Sequence, residues 1–215
     1  MPKTAIVVGA TGLVGRSVVQ LLAQAAHIER VVTITRRPAE PLSANVTNHV
    51  VDFTRLDDHA SAFAGDFLFS CLGTTRKEAG SIDAQRKVDV DYQFAAARLA
   101  AANGVGHYLL VSSAGADAGT TNAYLRMKGE LEQRVLQLPF QRISIFQPSM
   151  LMGTRVHPRL AEQVGGFVLQ GLRMMPGLRR YRPIRGEQVA LKMVEVSSRP
   201  GPPREWFRLD EVFPD

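Results

Sequence analysis

The chain has 215 residues, 45% hydrophobic and 21% charged, which fits one globular domain, or one with an extension, and excludes a disordered or fibrous chain. No run approaches the roughly 18 uninterrupted apolar residues of a membrane span, so no membrane partner is expected. The net charge of +6, with no long Lys/Arg run, reads as solubility plus arginines kept for a phosphate ligand, not as a nucleic-acid surface.

The apolar run 5–8 predicts a buried strand ending at Gly9. Gly9 and Gly12 break it too early for a secretory leader, so a reducing cytoplasm is the expected address. Leu13, Ser17, Val18, Leu21 and Leu22 then recur at helical spacing. Residues 31–35 are β-branched and strand-like; a shorter candidate at 49–51 is closed by Asp52, and another runs over 66–72 to Gly73. Cys71, in that strand, is the one cysteine: it excludes an internal disulfide and reads as a buried, inert thiol. Residues 83–102 predict a helix with an Ala-rich second half. Residues 108–111 predict a strand running into Ser112 and Ser113, residues 122–137 a helix, and residues 142–146 a strand stopped by Pro148. Beyond 150 the pattern loosens, with Pro, Gly, Met and Arg clustered over 153–186, a helix at 187–197 and a last strand at 206–209.

Strands alternating with helices, the strands mostly apolar, imply a parallel sheet covered on both faces. The expected fold is α/β, a doubly wound Rossmann sheet, with residues 1–150 as the nucleotide-binding core and 151–215 as an extension on the same domain. In such sheets ligands bind beyond the carboxyl ends of the strands, so the residues after each strand carry the function.

After the first strand comes Gly9-Ala-Thr-Gly12-Leu-Val-Gly15, a G-x-x-G-x-x-G turn opening a helix. Its glycines allow a tight turn and close approach of backbone to pyrophosphate, and the helix start offers free N–H groups to the anion. Gly9, Thr11, Gly12, Leu13, Val14 and Gly15 are therefore expected at a dinucleotide. The second strand ends in Arg36 and Arg37, where an NAD site would place an acid for the ribose hydroxyls. Guanidinium groups there favour a 2′-phosphate, hence NADP. Asp52, followed by Phe53, is either an acceptor for the adenine amino group or a simple turn residue.

Tyr124 and Lys128 lie four apart on a predicted helix and so share a face. Reduction of a carbonyl needs a proton donor at its oxygen. A tyrosine serves if a nearby ammonium favours its phenolate, and a serine after the preceding strand can polarise the same oxygen.

The order G-x-x-G-x-x-G, serine, Y-x-x-x-K resembles the short-chain dehydrogenase/reductase superfamily. Arg36-Arg37, Val51-Asp52-Phe53, Cys71-Leu-Gly-Thr-Thr-Arg76, Ser112-Ser113 and Lys128-Gly129-Glu130 resemble one atypical branch, the Tat-interacting-protein oxidoreductases. The likeness runs from residue 5 to about 150. It implies an NADP cofactor, a catalytic trio of Ser113 (alternatively Ser112), Tyr124 and Lys128, and a nicotinamide side lined by Leu72, Gly73, Thr74, Pro148 and Met150.

The histidines at 27, 49, 59, 107 and 157 show no metal-ligand spacing and read as surface or capping residues. Asp57 and Asp58 read as a helix cap. Phe167, Val168, Leu169, Leu172, Met174 and Met175 read as a flexible substrate pocket, a core stripe or a homodimer contact. Three functions compete. The first is an NADP-dependent oxidoreductase acting on a small carbonyl or alcohol. The second is a non-catalytic NADP-binding regulator, and the third, weaker, is a sugar-nucleotide epimerase or dehydratase. Tyr124 and Lys128 favour the first, since a sensor has no need of an acid–base pair.

Overall fold

A computed structural model describes residues 3–40, 42–152 and 179–214. Its core strands are β1 (Lys3–Val8), β2 (Ile28–Thr35), β3 (Val46–Val50), β4 (Phe67–Ser70), β5 (His107–Val111) and β6 (Arg142–Gln147). The short β7 (Leu151–Met152) and β8 (Ile184–Arg185) pair with each other, and β9 (Arg204–Arg208) follows. The helices are α1 (Leu13–Leu22), α2 (Arg76–Ala79), α3 (Ile82–Arg86), α4 (Gln93–Ala102), α5 (Ala123–Leu136) and α6 (Gly186–Ser198).

Seven parallel strands form one sheet in the order β3-β2-β1-β4-β5-β6-β9. The chain leaves β1 toward β2 and β3, then returns to lay β4 on the other side of β1. That reversal opens the crevice where α/β sheets take their ligands.

Both faces of β1 are buried, which is why its sequence is continuously apolar and not alternating. Ala5 and Val7 pack with Val14 and Val18 of α1 and with Val189 and Met193 of α6. Ile6 and Val8 point the other way, onto Ala96, Ala97 and Ala100 of α4 and Leu131 and Val135 of α5. The small side chains of α4 bring its backbone close to the sheet. The last strand, β9, hydrogen-bonds along β6, so residues beyond 150 extend the core sheet itself. The apolar stripe from Phe167 to Met175, and His157, lie outside the described residues.

Several expectations need correction. The helix expected over 83–102 is interrupted by a π turn, Lys87–Tyr92, between α3 and α4. The strand expected over 66–72 stops at Ser70, and 3-10 turns occupy Phe53–Phe63. Asp52, not Asp57 or Asp58, caps those turns; Asp57 pairs with Arg98 and Asp58 with Arg55. His107 is not a surface residue but is buried at the start of β5, its Nε2 2.7 Å from Ser144 Oγ.

Candidate active site

The glycine turn follows β1 at the reversal point. Gly9 has φ +79°, and a Cβ there would sit 2.5 Å from the Cys71 carbonyl carbon, inside the chain that leaves β4. A Cβ on Gly15 would fall within the carbonyl oxygen of Gly9. These two glycines let helix, turn and strand approach one another. Gly12 is different. It is exposed, it begins α1 without a side-chain cap, and its Cβ would meet only the Gly9 carbonyl at 3.2 Å and the Cys71 oxygen at 3.9 Å. The N–H groups of the first turn, Leu13 to Gly15, have no intrahelical acceptors. Thr11 is exposed beside them, whereas Val14 is buried in the core and Leu13 lies against α6 at Gly186. Leu13 and Val14 can therefore serve an anion through their backbones, not their side chains.

Arg36, Val50, Val51, Asp52, Phe53 and Tyr92 line a cleft of about 470 Å³ at the ends of β2 and β3. Arg37 is exposed outside this lining, its carbonyl accepting from Thr35 Oγ1 at 2.7 Å. The Asp52 carboxylate accepts from Thr54 N and Thr54 Oγ1, both at 2.8 Å; the backbone bond foremost holds its pKa below the usual carboxylate value. An open anion cradle at a helix start, next to a cleft with an arginine and two aromatic rings, fits a dinucleotide.

Tyr124 and Lys128 stand on α5, whose N-terminus is capped by the Asn122 side chain. Tyr124 is 37% exposed, whereas Lys128 is 3% exposed, its Nζ 5.9 Å from the Tyr124 ring centre. The loop after β5 lies flat on this helix. Gly129 permits it, since a Cβ there would strike the Asp117 and Ala118 backbone. The two serines part company: Ser112 is buried and donates to Glu132 Oε1, while Ser113 is half-buried with a long 3.4 Å bond to the Ala114 carbonyl. Pro148 and Met150 follow β6 at the same edge, Pro148 buried and Met150 exposed. Leu72, Gly73 and Thr74 follow β4 there. Cys71, expected as a buried thiol within the strand, follows β4 and is partly buried; burial pushes its thiol up to about 12, with the Lys128 charge acting against the shift.

Sequence reading missed the residues that set the state of Lys128. Asp89, fully buried on the π turn, puts Oδ1 3.2 Å from Lys128 Nζ and takes the Thr74 N–H on Oδ2 at 3.2 Å. Burial pulls the lysine pKa down, but Asp89, then Tyr124 and Glu132, outweigh it and hold it above the ordinary value. Glu132 also accepts from Gln147 Nε2 at 3.0 Å. The signal was a polar stripe at helical spacing, Gln85, Asp89 and Gln93, matched by Tyr124, Lys128 and Glu132 on the facing helix.

Sheet order, glycine turn and cleft define an NAD(P)-binding Rossmann domain of oxidoreductase type. The profile of the family described as NAD(P)H-binding matches residues 9–142, and the chain belongs to that family. Rat Protein HTATIP2 is 40% identical over 164 residues, covering 74% of this chain and 67% of that protein. The chain thus belongs with the Tat-interacting-protein relatives that its motifs resemble. The mitochondrial Protein FMP52 of Candida glabrata is 33% identical over 210 residues, covering 91% and 85%. The Bordetella bronchiseptica enzyme WbmH, solved with NAD+, shares the fold with a TM-score of 0.72 at 13% identity, over 97% of this chain and 76% of that one. The expected cytoplasmic address is overturned, because FMP52 relatives from several fungi are named mitochondrial.

Proposed function

We propose that the chain is an NADPH-dependent oxidoreductase of the short-chain type, reducing a small carbonyl substrate or oxidising the corresponding alcohol. The observation that carries this reading is the buried Lys128 ammonium beside an exposed Tyr124, on the edge of the sheet that bears the glycine turn. The cofactor, when bound, supplies the hydride. The Tyr124 phenol donates its proton to the substrate oxygen. Ser113, whose hydroxyl is the less committed of the two, donates a hydrogen bond to the same oxygen and orients it. Lys128 holds the nicotinamide ribose. The first-turn N–H groups of α1 hold the pyrophosphate. Arg36 lines the cleft beside Asp52 and Phe53, where a guanidinium suits a 2′-phosphate and a carboxylate would repel it.

One observation favours a second reading, a regulator that binds the cofactor without turning it over: the Ser112 hydroxyl is taken by Glu132 and the Lys128 ammonium by Asp89. NADPH consumption against a panel of aldehydes, ketones and quinones separates the two. Turnover that is lost in Tyr124→Phe supports the oxidoreductase. Tight NADPH binding with no consumption anywhere in the panel supports the regulator.

A further inference from the structure

The helix from Ile82 to Ala102 departs from α geometry at one place, the π turn Lys87–Tyr92. Such a turn inserts a residue into the helix and is frequently found at functional sites. Here it carries Asp89, whose carboxylate is fully buried under the carboxyl edge of the sheet. Its two oxygens reach in two directions. Oδ1 lies 3.2 Å from Lys128 Nζ on α5, and Oδ2 accepts the backbone N–H of Thr74 at 3.2 Å, in the loop after β4. Gly73, next in that loop, is open enough that even a Cβ would stop 3.6 Å from Asp89 Oδ1. The backbone of Asp89 is fixed in turn: its carbonyl accepts from Gln93 Nε2 at 2.9 Å, and Gln93 Oε1 accepts from Ser70 at the end of β4 at 2.8 Å.

We propose that Asp89 is a positioning residue for the cofactor: it keeps the buried Lys128 ammonium ionised and in place, and ties it to the backbone of the loop after β4. The proposal rests on reading Lys128 as a cofactor contact and goes beyond it by naming what makes a buried lysine fit for that role. A lysine with so little exposure loses its charge readily unless a carboxylate compensates for the lost water. The groups facing Lys128 are Asp89 from the π turn, Cys71 from the end of β4, and Tyr124 and Glu132 from its own helix. Glu132 is already engaged by Ser112 and Gln147, and the Cys71 thiol stays protonated. Asp89 is therefore the closest compensating charge.

The test follows the five lysines, Lys3, Lys77, Lys87, Lys128 and Lys192, by NMR of isotope-labelled side chains, with NADPH affinity measured in parallel across pH. In the native chain Lys128 should titrate above the exposed Lys3, Lys77 and Lys87. NADPH affinity should stay nearly flat from about pH 7 to about pH 9.5. In Asp89→Asn the Lys128 titration should move below those lysines, and NADPH affinity should fall about tenfold over the same range. Asp89→Glu should restore much of the flat profile, and Asp89→Asn with Lys128→Met should be flat and weak throughout. A merely structural Asp89 would weaken binding equally at every pH. That result, or an unmoved Lys128 titration in Asp89→Asn, overturns the proposal. If Asp89→Asn does not fold, the native titration decides: Lys128 titrating at or below the surface lysines overturns it. Lys128→Met binding NADPH as tightly as the native chain would instead refute the cofactor contact on which the proposal rests, whatever the lysine titration shows.

Discussion

Two buried polar clusters sit at opposite ends of the same strands, β5 and β6. At the amino ends His107 Nε2 meets Ser144 Oγ at 2.7 Å, Ser144 donates to Glu205 Oε1 at 2.6 Å, and Arg142 Nε donates to the same oxygen at 2.8 Å. At the carboxyl ends Ser112 and Gln147 converge on Glu132, and Lys128 on Asp89. Burial and pairing alone do not distinguish them. The difference lies in what is left over. The amino-edge cluster closes on itself, its histidine pKa driven down to about 3 chiefly by burial. The carboxyl-edge cluster leaves beside it an exposed phenol, Tyr124 on α5, and a loosely bonded serine, Ser113 on the chain that follows β5. A buried charge network marks a site where it supports groups that still have bonding capacity to offer.

The comparison breaks most visibly at Tyr124. Tyr124→Phe should keep NADPH binding and the melting temperature, yet lose about 10²–10⁴-fold in turnover on the carbonyl found by screening, because the phenol proton moves only in the transition state. At the other end, Glu205→Ala should cost stability only. Removing one member of a largely buried pair leaves Arg142 without its carboxylate, at about 3 kcal/mol, or a melting temperature lower by about 6–12 °C. Turnover of the folded fraction should not change. If it falls as far as in Tyr124→Phe, the two ends are not functionally distinct.

Smaller effects sharpen the contrast. Arg36→Ser should reduce the preference for NADPH over NADH by about tenfold, the worth of a charge-assisted phosphate contact. Paired titrations with the two cofactors measure it, and an unchanged ratio would remove Arg36 from the 2′-phosphate site. The last effect is on acid stability. Burial chiefly lowers the His107 pKa in the folded chain, so the unfolded chain alone takes up that proton as pH falls below about 6.5. Stability from this group is complete above that value and is lost toward pH 3, at up to about 1.4 kcal/mol per unit. His107→Gln should flatten the slope between about pH 6.5 and 5, seen in denaturant melts, without altering cofactor affinity.

Features governed by the backbone were legible in the sequence. The glycine turn reads directly, because close approach of chain to chain admits nothing but glycine at Gly9 and Gly15. The interior strands β1, β4 and β5 were equally plain, since burial on both faces leaves apolar runs, whereas β3, expected at 49–51, runs over Val46–Val50, where polar and exposed residues leave no such run. Side-chain pairing across the fold was not legible. Asp89 meets Lys128 from 39 positions away and only by way of a π turn. Glu205 meets His107's partner from the far edge of the sheet. The four-residue spacing of Gln85, Asp89 and Gln93 marks a polar stripe, but no local spacing names the partner that either acid meets. The resemblance put Ser113 first with Ser112 as the alternative, and local sequence could not choose between the two neighbours. Strand geometry separates them, turning one hydroxyl into the interior toward Glu132.

The central claim is that one edge of the sheet binds the cofactor while the other only holds the fold together. Fluorescence titration with NADPH of the native chain, Gly12→Val and Glu205→Ala, below the melting temperature of each, tests it most directly. Gly12 is exposed at the start of α1, so valine there should leave the fold intact and obstruct the pyrophosphate. The native chain and Glu205→Ala should bind NADPH with the same affinity, and a folded Gly12→Val should show no saturable binding. Normal binding by Gly12→Val, or loss of binding in a folded Glu205→Ala, would contradict the account.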